Sequence, residues 1–197
     1  KKMIWLILSV VLWGLIHSIM ASLKFKATLE KMLGVQTMRF YRLFYNIFSA
    51  ISFLPILWLM RVLPDRTLYQ ISAPWMYAML FGQFLALIAL IVGLLHTDIW
   101  EFAGLRQLVA PPHLKKGKLV VNGLYKHMRH PLYTFGLLFI WLTPVMTVNM
   151  LVMYISATVY TVVGAYFEER KLCREFGDAY AEYQARTPML VPRIRKA

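Results

Sequence analysis

A single cysteine, Cys173, in 197 residues excludes an intrachain disulfide and any multi-cysteine metal site. Acidic residues are also scarce. Nine Asp and Glu stand against 22 Lys and Arg, a formal charge of +13. Charged residues of both signs make up only 16% of the chain, while hydrophobic residues make up 59%. That balance is more apolar than a soluble domain of this length needs for its core. The basic residues fall between apolar runs, where they act as topology determinants, which argues against a nucleic-acid partner. The composition therefore implies an all-α integral membrane protein. No internal repeat, low-complexity linker or charge block divides it, so residues 1–197 read as one domain, with three N-terminal spans in 1–95 and a second half from 96 to 197.

A membrane-spanning helix needs about 20 mostly apolar residues. Residues 3–23, 41–60 and 74–95 meet that requirement. The first begins with Lys-Lys like a signal peptide, but its apolar stretch is longer than a signal core and reads as a retained span. Residues 131–167 carry no charge at all, which is too long for one helix. Thr143-Pro144 and Val148-Asn149 supply helix-breaking chemistry near the middle. A helical hairpin follows, giving about five spans; one long kinked helix, with four in total, is the alternative. With five spans, the 24–40 segment, the 96–130 loop and the tail share one side of the membrane. That side holds every Lys and Arg except Lys1, Lys2, Arg61 and Arg66. The positive-inside rule then puts the N-terminus outside and the loop and tail in the cytoplasm, as expected for a bacterial inner membrane. The tail "EERKLCREFGDAYAEYQART" reads as a helix continuing out of the last span until "PMLVP" ends it.

The stretch "YKHMRHPLYTFG", residues 125–136, places four basic side chains directly before a proline and an apolar run. Proline suits the first position of a helix, so Arg129 and His130 sit at a helix N-terminus. Free N–H groups and the positive dipole make such an end an anion site. The same residues also fit a plain positive-inside flank. Glu168 and Glu169, about one helix back from the breaker, return to the level of His130, where they either serve a ligand or pair with Arg129 or Arg170. His17, inside the first span, is a functional candidate or a helix-to-helix hydrogen bond.

The ordered set G-x-Y, R-H-P-x-Y, apolar hairpin, E-E, F-G, Y-x-x-Y and a closing proline resembles the integral-membrane methyltransferases that include isoprenylcysteine carboxyl methyltransferase and phosphatidylethanolamine N-methyltransferase. In this chain it runs from 117 to 192, as "GLYKHMRHPLY" and "EERKLCREFGDAYAEY". The stretches "GLIHSIMASLKFK", "YRLFYN", "FAGLRQL", "WLTPVMT" and "PMLVP" are similar to methanethiol S-methyltransferases and their NnrU-like relatives, which extends the resemblance over most of the chain.

The resemblance implies S-adenosyl-L-methionine as methyl donor, held in a cytoplasm-facing pocket by Lys118, Leu119, Val120, Tyr125, His130, Pro131, Leu132, Tyr133 and Glu168. The chemistry of these residue types agrees: carboxylates accept from hydroxyl and ammonium groups, and aromatic faces suit a sulfonium cation. One departure matters. Isoprenylcysteine methyltransferases are expected to carry a substrate-binding arginine four residues before the first motif glutamate, and Gly164 stands there. A small hydrophobic thiol is then the expected acceptor, ahead of an isoprenylcysteine carboxylate or a lipid amine. His17 is the candidate base and Arg106 the candidate anion-stabilising or loop-closing group. Ser18, Asn46, Gln107, Trp141 and Thr147 are further residues near the acceptor end. The rival reading is a non-catalytic NnrU-like membrane accessory protein.

Overall fold

The computed structural model describes residues 3–109 and 119–192. Their regular elements are helices apart from one short antiparallel ribbon, and they pack as two compact units. Four helices among the described residues are long and apolar enough to cross a membrane.

The first unit runs to Arg66 and resumes at Asp98. Helix α1 (Met3–Ala21) is apolar on every side, with Trp5, Leu12 and Leu15 outward and Leu6 and Val10 buried. Ser22 caps α2 (Leu23–Leu33), its Oγ accepting from Phe25 N at 3.2 Å. A 3-10 turn (Thr37–Phe40) leads into α3 (Tyr41–Val62). Without a solvent-exclusion force between helices in lipid, small polar bridges and close packing join α1 to α3. Trp13 Nε1 donates to Ser52 Oγ at 3.0 Å, and its ring meets Phe53 edge-on.

Short helices α5 (Ile99–Ala103) and α6 (Arg106–Val109) are tied to the start of α3. Asn46 Nδ2 donates to the carbonyls of Phe102 and Ala103 at 3.0 Å each, Arg42 donates to Glu101 O at 2.8 Å, and Arg39 donates to Gln107 O and Leu108 O. At Gly104, φ is +87° and an added Cβ would lie 2.6 Å from Leu43 N. Glycine is required there on both counts. "YRLFYN" and "FAGLRQL" are thus two halves of one packing contact.

The second unit begins with β1 (Thr67–Gln70) and α4 (Trp75–His96) and resumes with a 3-10 turn (Gly123–Lys126). Helix α7 (Pro131–Trp141) follows, then β2 (Val145–Thr147), α8 (Val148–Phe176) and α9 (Asp178–Arg186). Helix α7 runs antiparallel along α4: an added Cβ at Gly93 would sit 3.0 Å from Leu132, and one at Gly82 would sit 2.8 Å from Leu142. Gln83 Nε2 donates to Phe139 O at 2.8 Å between them.

The fifth helix expected in the 131–167 run is present but short. Its 11 residues cover about 16 Å at 1.5 Å per residue, roughly half the hydrocarbon thickness. Beyond Leu142 the chain turns extended. Val145 pairs with Gln70 and Thr147 with Thr67, while Ile71 N donates to Pro144 O at 2.8 Å. The ribbon supplies the hydrogen bonds that helix would otherwise give, so an apolar segment leaves the helix without orphaning its backbone. Thr147 then caps α8, its Oγ1 accepting from Met150 N at 3.2 Å. With 29 residues, α8 is about 43 Å long. That exceeds the bilayer core, so its charged last turns emerge from it.

Candidate functional site

The turn before α7 is seated on the end of α4. Gly123 has φ +58°, and a Cβ there would lie 2.2 Å from His96 Nε2; only glycine lets the chain approach that closely while turning left-handed. His96 is itself fixed, with Nδ1 2.7 Å from Val92 O. From this seat the chain passes through Tyr125 to Arg129 and His130, whose backbone N–H groups donate to Pro188 O at 2.9 Å and Met189 O at 3.1 Å. Thr134 Oγ1 adds a bond to Leu190 O at 2.7 Å. The closing "PMLVP" therefore lies as a non-helical strap across the start of α7, which is why it accompanies the R-H-P stretch.

Arg129 is consumed by structure. Its Nε and Nη2 meet the two oxygens of Glu169 at 2.5 and 3.0 Å, and Nη1 donates to the carbonyls of Gln184 and Thr187. Both side chains of the pair are only 10% exposed. Gln184 Nε2 gives Glu169 Oε2 a further bond at 3.0 Å, and His130 Nε2 lies 3.3 Å from Oε1. The two glutamates do return to the level of His130, and their environments diverge. Glu168 is 44% exposed and accepts from Tyr133 Oη at 2.7 Å, with His130 Nδ1 at 3.7 Å. The His130 and Tyr133 rings stack at 5.2 Å and 4° between planes.

Burial, aided by the Glu168 charge, pushes the Tyr125 hydroxyl up to about 12. Burial likewise pushes Tyr183 to about 12, with Tyr125 and Glu169 reinforcing it and Arg129 opposing it. Tyr183 Oη donates to Tyr125 O at 2.5 Å. Both hydroxyls stay neutral near pH 7, and Glu168 is the solvent-facing carboxylate of the cluster.

Of the residues expected to hold a cofactor, Tyr125, His130, Tyr133 and Glu168 converge here. Pro131 is buried at the first position of α7, and Leu132 packs over Gly93. Leu119 and Val120 are half-buried in the extended approach, and Lys118 lies outside the described residues. His17 and Arg106 belong to the first unit. Ser49 Oγ donates to Tyr45 O at 2.6 Å, so His17 Nδ1, 2.9 Å from that hydroxyl, carries the proton, and Nε2 accepts from Tyr45 Oη at 2.5 Å. Trp13 stacks on the imidazole at 4.7 Å. Arg106 forms an ion pair with Asp98.

Asn46 and Gln107 brace α5, Trp141 Nε1 donates to Thr158 Oγ1 at 2.9 Å, and Thr147 is a helix cap. Gln184 and the strap carbonyls escaped the sequence reading. Their one signal was the proline-bounded segment after α9, whose carbonyls, outside any helix, are left for another element to use.

The chain is 32% identical over 186 residues to methanethiol S-methyltransferase 2 of Bradyrhizobium diazoefficiens, covering 93% of this chain and 70% of that protein. It is 30% identical over 195 residues to a methanethiol S-methyltransferase of Crocosphaera subtropica (94% and 72%). A methanethiol S-methyltransferase of Mycobacterium tuberculosis shares 28% over 181 residues (89% and 72%). No solved structure matches. The family model described as NnrU protein matches residues 5–195. With that match running through both units, from α1 to beyond the strap over α7, the chain belongs to the NnrU family.

Proposed function

We propose that this protein is an S-adenosyl-L-methionine-dependent membrane methyltransferase acting on a small hydrophobic thiol, with its cofactor site on the cytoplasmic face of a bacterial inner membrane. The observation that carries the proposal is the His130–Tyr133–Glu168 cluster, open at its carboxylate and locked from behind by Arg129 and Glu169. Relatives named methanethiol S-methyltransferase, similar over most of the chain, support it.

The donor set fits the cofactor. Glu168 offers a half-exposed carboxylate to ribose hydroxyls or an ammonium group, and the stacked rings of His130 and Tyr133 offer a π-face to a cation. Tyr125, Leu119, Val120, Pro131 and Leu132 would enclose the remainder, and Lys118 is assigned to the same ligand on the strength of the family resemblance alone. When bound, S-adenosyl-L-methionine supplies a methyl group on a sulfonium. A thiol acceptor must be deprotonated to attack well, because only a few per cent is thiolate at neutral pH. We assign proton acceptance to His17, relayed through the Tyr45 hydroxyl that Nε2 already contacts, and assign Arg106 to stabilising the anion or closing its loop. At Gly164 an added Cβ would meet nothing within 4 Å. The position that would carry an arginine in prenylcysteine enzymes is neutral and open, which favours an uncharged acceptor.

The test is purified protein with labelled S-adenosyl-L-methionine and, in separate reactions, methanethiol or a longer alkanethiol, farnesylcysteine, and phosphatidylethanolamine. Thiol methylation is expected. Turnover of farnesylcysteine alone would overturn the acceptor assignment, with Arg106 the first residue to examine. The family name carries no activity, and failure to bind S-adenosylhomocysteine at all would favour a non-catalytic accessory protein.

A further inference from the structure

A cleft of about 380 Å³ beside the emerging end of α8 is lined by Tyr166, Glu169, Arg170, Cys173, Arg174 and Gln184. Three properties restrict what it takes. The first is charge. The Glu169 carboxylate is already bound by Arg129, whereas Arg170 and Arg174 form no ion pair among the described residues. The cleft is therefore cationic.

The second is depth. The charge-free run ends at Phe167, so the cleft straddles the boundary where hydrocarbon gives way to headgroups. Tyr166 is 55% exposed there, with the Arg170 guanidinium 5.1 Å from its ring centroid. Tyrosine at this level is ordinary for an interface. The third is direction. Val159, Val163, Tyr166, Arg170 and Arg174 follow one another at helical spacing and share one face of α8. Val159 and Val163 are 58% and 48% exposed. An apolar stripe thus leads straight into two unpaired guanidinium groups.

We propose that this cleft is a headgroup site for an anionic phospholipid, with the phosphate held by Arg170 and Arg174 and an acyl chain lying along Val163 and Val159. Arginine suits the role because its planar fork matches two phosphate oxygens at once. A free phosphate ion would satisfy the guanidinium groups equally well but would make no use of the valine stripe.

Cys173 lines the cleft and is the only cysteine, so its alkylation by a polar maleimide reports occupancy directly. In neutral detergent, phosphatidylglycerol should slow alkylation at least threefold, and phosphatidylcholine with the same acyl chains should not. The variant Arg170→Gln/Arg174→Gln should lose the protection, and Arg170→Lys/Arg174→Lys should largely keep it. Native mass spectrometry should show retained phosphatidylglycerol in wild type alone among wild type and the glutamine variant. Equal protection by the two lipids, protection by inorganic phosphate at the same concentration, or undiminished protection in the glutamine variant would overturn the proposal. The comparison of lipids on wild type decides the matter even if the glutamine variant does not fold.

Discussion

Replacing Glu169 and Glu168 one at a time with alanine should separate two adjacent carboxylates into different roles. Glu169 is 8% exposed as a residue and holds Arg129 with both oxygens. Removing one partner of a buried pair strands the other charge and costs about 3–5 kcal/mol. Arg129 would retain the Gln184 and Thr187 carbonyls, which places Glu169→Ala near the lower end, about 3 kcal/mol. For a chain of this size that corresponds to a fall of about 6–12 °C in Tm. Glu168→Ala loses one half-exposed bond from Tyr133, at most about 1 kcal/mol. Binding should show the opposite ordering. Loss of a charged hydrogen-bond partner from the proposed cofactor site should weaken S-adenosylhomocysteine binding by about 1–3 kcal/mol, roughly 5- to 150-fold. Thermal unfolding in detergent and isothermal titration read the two effects independently. If Glu168→Ala lowers Tm as far as Glu169→Ala and leaves affinity unchanged, the division of labour between the two glutamates is wrong.

Three other outcomes follow from the geometry. Single cysteines replacing Arg66 and Lys116 in a Cys173-free background should be labelled by impermeant reagents from opposite sides of the membrane; labelling from one side would refute the topology. Gly123→Ala should destabilise the protein by about 1–3 kcal/mol, the cost of a strained left-handed residue, plus the clash with His96; adding His96→Ala should recover the clash but not the strain, and full additivity of the two losses would refute the contact. Because the folded Tyr125 and Tyr183 hydroxyls titrate near 12 against about 10 in an unfolded chain, the stability they confer is complete below pH 10 and is lost as pH rises from 10 to 12; an equal alkaline decline in Tyr125→Phe/Tyr183→Phe, followed by thermal unfolding, would refute that linkage.

The spans were legible because the bilayer imposes one requirement on all of them, about 20 apolar residues with their backbone bonds closed internally. The position of the break between α7 and α8 was legible for the same reason, since Pro144 cannot donate. The length of α7 was not. Val145, Met146 and Thr147 are as apolar as the helix before them, and what turns them extended is pairing with Thr67–Gln70, some 75 residues earlier in the sequence. Composition within a window carries no trace of a partner that far away.

The site divides in a similar way. R-H-P before an apolar run announced a helix start, and the structure puts Pro131 at that position. An anion site built from both Arg129 and His130 was the natural expectation, yet four of the five N–H donors of Arg129 are engaged: its fork faces Glu169 and two carbonyls. Successive helix residues point about 100° apart, so Glu168 and Glu169 had to face different surroundings, but which one met the arginine depended on where α9 and the strap lie. The tail decides it, because Gln184 and Thr187 approach from the side on which Glu169 projects. A motif read as one acidic pair is therefore a buried anchor beside a half-exposed carboxylate, and the anchor is what leaves Glu168 on the exposed side with Tyr133.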